Sequence, residues 1–266
     1  MGLRDELDEV LALVNHDLEI MADNYPVQKI GQVCDDLCQN FRVLAGCAVL
    51  LNADVVAYHS WSLRSALIRL HYLNRCKQEG YRDAFCATGN NNAIFDAVAA
   101  KNSVLALQLA KASSKSWWEG DEYLDDFCLV HFLHQFFSTE NYTRDQQIET
   151  LDKFESALEG QENPYLDVCR ALLGDQQEEF DSAFQGLIEH QEMVLIEESQ
   201  KFYVDEIVFH VRSRLFTEGI AFLNMADAVG FDTSEEYKYC ASLARQPSSV
   251  TVDSALTFTS VRDSDV

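Results

Sequence analysis

The stretch TRDQQIETLDKFESALEGQENPYLDVCRALLGDQQEEFDSAFQGLIEHQEMV, residues 143–194, predicts three successive helices. Thr143 and Gln146 match a capping box, in which each residue satisfies a free amide of the other at a helix start. The apolar residues that follow recur at the spacing of one helical face: Ile148, Leu151, Phe154 and Leu158. Asn163 and Pro164 then suit an N-cap and the first helical position, and Gly174 suits a helix end.

The same helical spacing extends outward over most of the chain. Apolar stripes cover 3–21, 30–48 and 63–73, and only three prolines and 11 glycines interrupt the 266 residues. The segments 94–109 and 165–187 each predict a helix, a tight turn and a second helix. The run 204–211 comes closest to a strand, but its pattern continues to Leu215 and Phe222, which favours a buried helix.

These patterns predict an all-α fold. We expect a single domain of stacked antiparallel helices over 1–246, built from αα-hairpins like those of helical-repeat proteins. The stretch 247–266 is rich in Ser and Thr and has no helical stripe, so we expect a flexible tail there.

Composition narrows the class of partner. The chain has a net charge of −24 and a pI near 4.4, so phosphate backbones and anionic membrane surfaces would repel it. We therefore expect neither direct nucleic-acid binding nor membrane binding. The N-terminus has no apolar run, and no stretch is long and apolar enough to span a bilayer, which favours a cytoplasmic protein. The eight cysteines fall on apolar faces and are expected to be free thiols.

Negative charge concentrates in the second half of the chain. Residues 134–266 carry 26 acids and 9 bases, whereas 1–133 carry 18 and 11, and Arg170 is the only base between 154 and 200. One set of acids shares the helical face opposite the apolar stripe after Gly174: Glu178, Asp181, Glu189 and Glu192. Like charges one turn apart repel by a few tenths of a kcal/mol per pair, so this set is a candidate partner-binding face. The alternative is a solvated face that keeps the protein soluble.

Another group of acids lies among aromatic residues; because it comes earlier in the chain, we call it the first acidic cluster and the acids after Gly174 the second acidic set. Its carboxylates are Glu119, Asp121, Glu122, Asp125 and Asp126, and the neighbouring aromatic residues are Trp117, Trp118 and Tyr123. With a helix starting near Gly120, these acids would occupy one arc, a suitable hot spot for a basic protein. The alternative is that the acids serve the helix start through its dipole while the tryptophans pack in the core.

Sequences typical of catalysis are missing. His131 and His134 lie three residues apart, but no second helical ligand pair accompanies them, so core histidines are favoured. Cys34 and Cys38 likewise have no two further ligands at a comparable spacing. The acids of 121–126 are similar to the Asp-rich motif of Mg-dependent prenyl-transfer enzymes, but their order differs and the second metal motif is missing. We predict neither enzymatic activity nor a metal or other cofactor.

A family resemblance appears over roughly 90–235. It is carried by Asn92-Ala93-Ile94-Phe95-Asp96-Ala97-Val98-Ala99-Ala100, by Leu105-Ala106-Leu107-Gln108-Leu109-Ala110 and by Trp118-Glu119-Gly120-Asp121-Glu122-Tyr123-Leu124-Asp125-Asp126-Phe127. The late segments Gly219-Ile220-Ala221-Phe222-Leu223-Asn224-Met225-Ala226 and Gly230-Phe231-Asp232 extend it. Together these segments resemble the immunity 49 family of bacterial polymorphic-toxin systems.

The resemblance implies a small cytoplasmic protein that binds and blocks a cognate toxin. We expect a toxin that acts in the cytoplasm, such as a nuclease, delivered by type VI or contact-dependent secretion. The acidic surfaces fit this expectation because carboxylates can occupy a cleft built for phosphates. Two alternatives stay open at this point: a helical adaptor or chaperone for a secreted effector, and a Mg-dependent all-α enzyme. The sequence also leaves open whether the chain forms a homodimer.

Overall fold

The computed structural model describes residues 3–22, 25–203, 205–247 and 250. These residues form eleven α-helices and no β-strand, which confirms the predicted all-α fold. The helices are α1 Leu3–Ala22, α2 Gly31–Asn52, α3 Val55–Glu79, α4 Ala93–Ala99, α5 Ser103–Ala112, α6 Leu124–Phe137, α7 Arg144–Ala157, α8 Pro164–Gly174, α9 Gln177–Ser199, α10 Glu206–Arg212 and α11 Thr217–Val229. The predicted tail, 247–266, lies outside the described residues except for positions 247 and 250.

The helix boundaries in 143–194 follow the predicted capping. The backbone N–H of Thr143 donates to Gln146 Oε1 over 2.9 Å, and Thr143 Oγ1 accepts from the N–H of Gln146. Asn163 Oδ1 accepts from the N–H of Tyr165 at the start of α8. Gly174 is the last residue of α8, but Asp175 carries the left-handed backbone with φ at 58°. Asp tolerates this conformation better than most side chains, so the turn into α9 closes without a glycine.

From α1 to α9, helices that follow each other in the chain pack against each other around one core, whereas α10 packs on α1 and α2. The connection from α2 to α3 consists of Ala53 and Asp54, and the Asp54 carboxylate caps α3 by accepting from the N–H of Ala57. The chain then returns on itself, because α11 packs on α4. The Asn224 amide of α11 donates to the carbonyls of Val98 and Ala99 over 3.0 Å each. This contact joins the C-terminal helices to the centre of the chain.

The segment after 204 differs from the prediction. The structure confirms a helix rather than a strand here, as α10, but the expected continuation toward Phe222 is wrong, because α10 ends at Arg212 and α11 starts only at Thr217. The N–H of Phe216 donates to the carbonyl of Tyr239 over 2.7 Å instead of continuing a helical ladder. A tertiary contact with the turn near Cys240 thus separates two helices whose apolar spacing alone looks continuous.

Candidate functional site

The first acidic cluster is arranged differently from the prediction. Helix α6 starts at Leu124, not near Gly120, and Trp118 to Glu122 form a tight turn. Within this turn the N–H groups of Asp121 and Glu122 both donate to the Trp118 carbonyl, and Gly120 has a φ of 88°. The prediction that the acids from Asp121 to Asp126 occupy one arc of a helix starting near Gly120 is therefore wrong. Only Asp125 and Asp126 belong to the first turn of the helix.

Glu122 stabilises the turn by accepting hydrogen bonds from backbone N–H groups. Its carboxylate accepts from the N–H of Trp118 over 2.9 Å and from the N–H of Gly89, which lies 33 residues earlier. Burial raises the pKa of Glu122, and the two backbone hydrogen bonds oppose that shift. Gly89 lets the two segments approach closely, since a Cβ there would lie 3.0 Å from the Phe127 backbone nitrogen and the start of α6 would have to shift.

Asp121 also has a partner within the chain. Its carboxylate forms an ion pair with Arg82 over 2.9 Å, and the Arg82 guanidinium lies 4.0 Å from the ring centre of Trp118. Trp117 and Trp118 are half-buried and pack against the core. Glu119, Tyr123 and Asp126 are exposed, with the Tyr123 side chain 79% exposed, whereas Asp125 is half-buried.

The second acidic set lies on the outer side of α9, as predicted. Glu178, Asp181 and Glu189 are exposed, and the opposite side of the helix is buried through Phe180, Phe184, Leu187, Ile188 and Leu195. Glu192 is half-buried and pairs with Lys238 over 2.6 Å. Along its 23 residues α9 carries seven acids and neither Lys nor Arg.

Exposed apolar side chains extend the same side of α9. Met193 and Ile196 are 56% and 53% exposed, and each lies four residues after an acid, Glu189 or Glu192. We call this surface the α9 face: Glu178, Asp181, Glu189, Glu192, Met193 and Ile196. Just beyond the helix, Phe202 and Tyr203 are 95% and 87% exposed, with their ring centres 5.2 Å apart. The sequence analysis missed these four residues, although the spacing of Met193 and Ile196 could have revealed two of them.

A polar cleft between helices was also missed. It has a volume of about 360 Å³ and lies among α2, α3, α4 and α8–α11. At its base Arg42 donates to Asp96 over 2.7 Å, to Glu218 over 2.8 Å and to the Asn92 carbonyl over 2.9 Å. Ser65 Oγ donates to the other oxygen of Asp96 over 2.6 Å. The available signal was a lone charge inside an apolar run, as in FRVLAGCAVL for Arg42 and AIFDAVAA for Asp96.

His131, His134 and every cysteine except the half-buried Cys38 are buried. His134 is within 3.2 Å of the Asn91 amide, and His131 stacks on Phe127 with ring centres 5.0 Å apart. Burial lowers the pKa of His131 to about 4 and that of His134 to about 3. All eight cysteines are free thiols. Within the described ranges, no group of three or more His, Cys, Asp or Glu side chains is placed to hold a metal ion.

Comparison of the chain with models of known protein families, with curated proteins and with solved structures finds no match. The resemblance to the immunity 49 family therefore stays a prediction. Among the described helices, none combines the length and the apolar character needed to cross a membrane.

Proposed function

We propose that the protein is an immunity protein that binds a cognate antibacterial toxin in the cytoplasm and occludes it. The observation that carries this proposal is the α9 face, where acids without interleaved bases adjoin two exposed apolar side chains. A purely solvated helix gains nothing from this pattern, since acids at one-turn spacing repel and exposed Met193 and Ile196 leave apolar area in water.

Each half of the α9 face has a role in this proposal. Glu178, Asp181 and Glu189 meet the basic cleft that a nuclease or similar enzyme needs for its substrate phosphates. Opposite fields raise the rate of encounter, which suits rapid self-protection. Met193 and Ile196 then lose water on contact and slow dissociation, as buried apolar anchors do at protein interfaces.

The first acidic cluster has a secondary role. Its exposed members, Glu119, Tyr123 and Asp126, and the half-buried Asp125 can contact the same partner, whereas Glu122 and Asp121 are engaged within the fold. The protein contributes no chemistry of its own, because binding alone blocks the toxin.

Co-expression with the product of the neighbouring toxin-like reading frame tests the proposal. The wild-type protein should restore growth, whereas the double substitution Glu178→Lys and Glu189→Lys should abolish protection. Two lost charge contacts of about 1.5 kcal/mol each correspond to about 100-fold weaker binding. The matched control is Glu9→Lys with Glu19→Lys, which makes the same charge change on exposed positions of α1.

The outcomes separate the alternatives. An adaptor or chaperone would bind the neighbouring protein and leave the cells sensitive. Equal loss of protection in both double variants would mean that total charge, not the α9 face, governs binding. Growth arrest regardless of the wild-type protein would contradict the proposal.

A further inference from the structure

The polar cleft contains an arginine without a carboxylate partner. Arg69 of α3 lines the cleft and is 2% exposed, yet its one hydrogen bond runs from Nη2 to the Ala87 carbonyl over 3.2 Å. Its Nε atom has no hydrogen-bond partner, and no carboxylate in the described part of the chain lies within 4.0 Å of the guanidinium. A buried cation in this state is costly unless an anion pairs with it.

The other two arginines of the cleft are already paired. Arg42 makes three hydrogen bonds, two of them to carboxylates, and Arg212 forms an ion pair with Glu198 over 2.9 Å. Their charges are therefore used by the fold itself. Arg69 is the cleft arginine that can offer an unused planar fork of N–H donors to a ligand.

The rest of the lining limits the ligand's charge. Asp35, Asp96 and Glu218 border the same space. Arg42 neutralises part of the charge of Asp96 and Glu218. Asp35, by contrast, forms no ion pair within the described residues, so a second negative charge on a ligand would meet the Asp35 carboxylate. A phosphate monoester carries about two negative charges at neutral pH and is disfavoured on this ground. A single carboxylate can pair with Arg69 while the lining carboxylates accept from ammonium or other N–H donors of the same molecule.

The size of the cleft agrees with a small molecule. Its volume of about 360 Å³ falls at the lower end of the range typical of small-molecule sites. We propose that this cleft binds a free amino acid or a zwitterion of similar size, with its carboxylate on Arg69 and its ammonium group facing the lining carboxylates. The proposal does not depend on toxin binding, because the cleft and the α9 face are separate sets of residues.

Calorimetric titration and thermal shift with the full chain test the proposal. The probes are the individual free L-amino acids at millimolar concentration, and for each binder its carboxamide and its N-acetyl derivative. At least one free amino acid should bind and raise the melting temperature, whereas its carboxamide, which lacks the anion, should bind about 100-fold more weakly. The N-acetyl derivative should also lose affinity, because it lacks the ammonium group.

Substitution then locates the site. Arg69→Met should weaken binding about 100-fold and leave the ligand-free melting temperature unchanged or higher, since the change removes an unpaired buried charge. Arg75→Met on the same helix, outside the cleft, should bind like wild type. The proposal is overturned if no amino acid binds, if the carboxamide binds equally well, or if Arg69→Met retains full affinity. If Arg69→Met fails to fold, the carboxamide comparison on the wild-type chain decides alone.

Discussion

The first acidic cluster (residues 119–126) and the α9 face are both rich in acids, but their carboxylates make different contacts. In the first, Glu122 accepts from two backbone N–H groups and Asp121 pairs with Arg82, so two of its five carboxylates hold the turn before α6 in place. On α9, Glu178, Asp181 and Glu189 point away from a buried apolar side and make no ion pair among the described residues. The number of acids in a segment therefore does not show which carboxylates stabilise the fold and which are free to bind a partner. The distance from each carboxylate to backbone N–H donors does show it.

The largest predicted effect is a loss of unfolding free energy at acidic pH, and it arises next to the first acidic cluster. Helix α6, attached to the first cluster, buries His131, whose pKa is lowered by burial to about 4 from an ordinary value of 6.5. The unfolded chain protonates His131 more readily than the folded chain does. Neutral His131 therefore contributes its full share of the unfolding free energy above pH 6.5, and this share is lost as the pH falls toward 4. The loss from His131 amounts to about 3 kcal/mol of unfolding free energy.

Urea unfolding at pH 7 and at pH 4 measures this loss. His131→Phe should reduce the pH dependence by about 3 kcal/mol, since the ring can still stack between Phe127 and Tyr142 without a titrating group. Parallel stability profiles for the variant and the wild-type chain would show that the His131 imidazole does not carry the acid sensitivity.

The second prediction compares, within the first acidic cluster, an acid that is hydrogen-bonded to the backbone with one that is exposed. Glu122→Ala should lower the unfolding free energy by about 2 kcal/mol, because two N–H groups lose a charged acceptor. Glu119→Ala, three residues earlier and exposed, should change it by less than about 0.5 kcal/mol. Urea denaturation of both variants at neutral pH gives the comparison. Equal effects would mean that the contacts of Glu122 with Gly89 and Trp118 add nothing to stability.

Local signals in the sequence predicted much of this fold. Thr143 with Gln146 and Asn163 with Pro164 set the starts of α7 and α8, because capping depends on residues within three positions. The outer side of α9 was predictable for the same reason, since spacing along one helix determines which side chains share a face. The role of Glu122 was not predictable, because its acceptor contact joins it to Gly89 across 33 residues.

The polar cleft was even less predictable from the sequence, because it depends on contacts between residues far apart in the chain. Arg42 and Glu218 are separated by 176 residues, and no local pattern says that they meet. Their positions inside apolar runs indicate only that each buried charge needs a partner. Which charges pair and which one, here Arg69, stays unpaired depends on how α2, α3, α4 and α11 pack.

The smallest predicted effect sharpens the contrast most. Gln185 of α9 lies four residues after Asp181 and four before Glu189, so Gln185→Lys places a cation between two acids. Each new pair should add about 0.2–0.5 kcal/mol of stability at low salt, measured by urea unfolding, and the gain should shrink at high salt. The same variant should bind a basic partner less well, because the cation opposes its field. Gln185→Ala, which removes the hydrogen bond to Glu189 without adding charge, serves as the control. If the face does not contact the partner, the variant should gain stability and keep its affinity, whereas a face that binds the partner should gain stability and lose affinity.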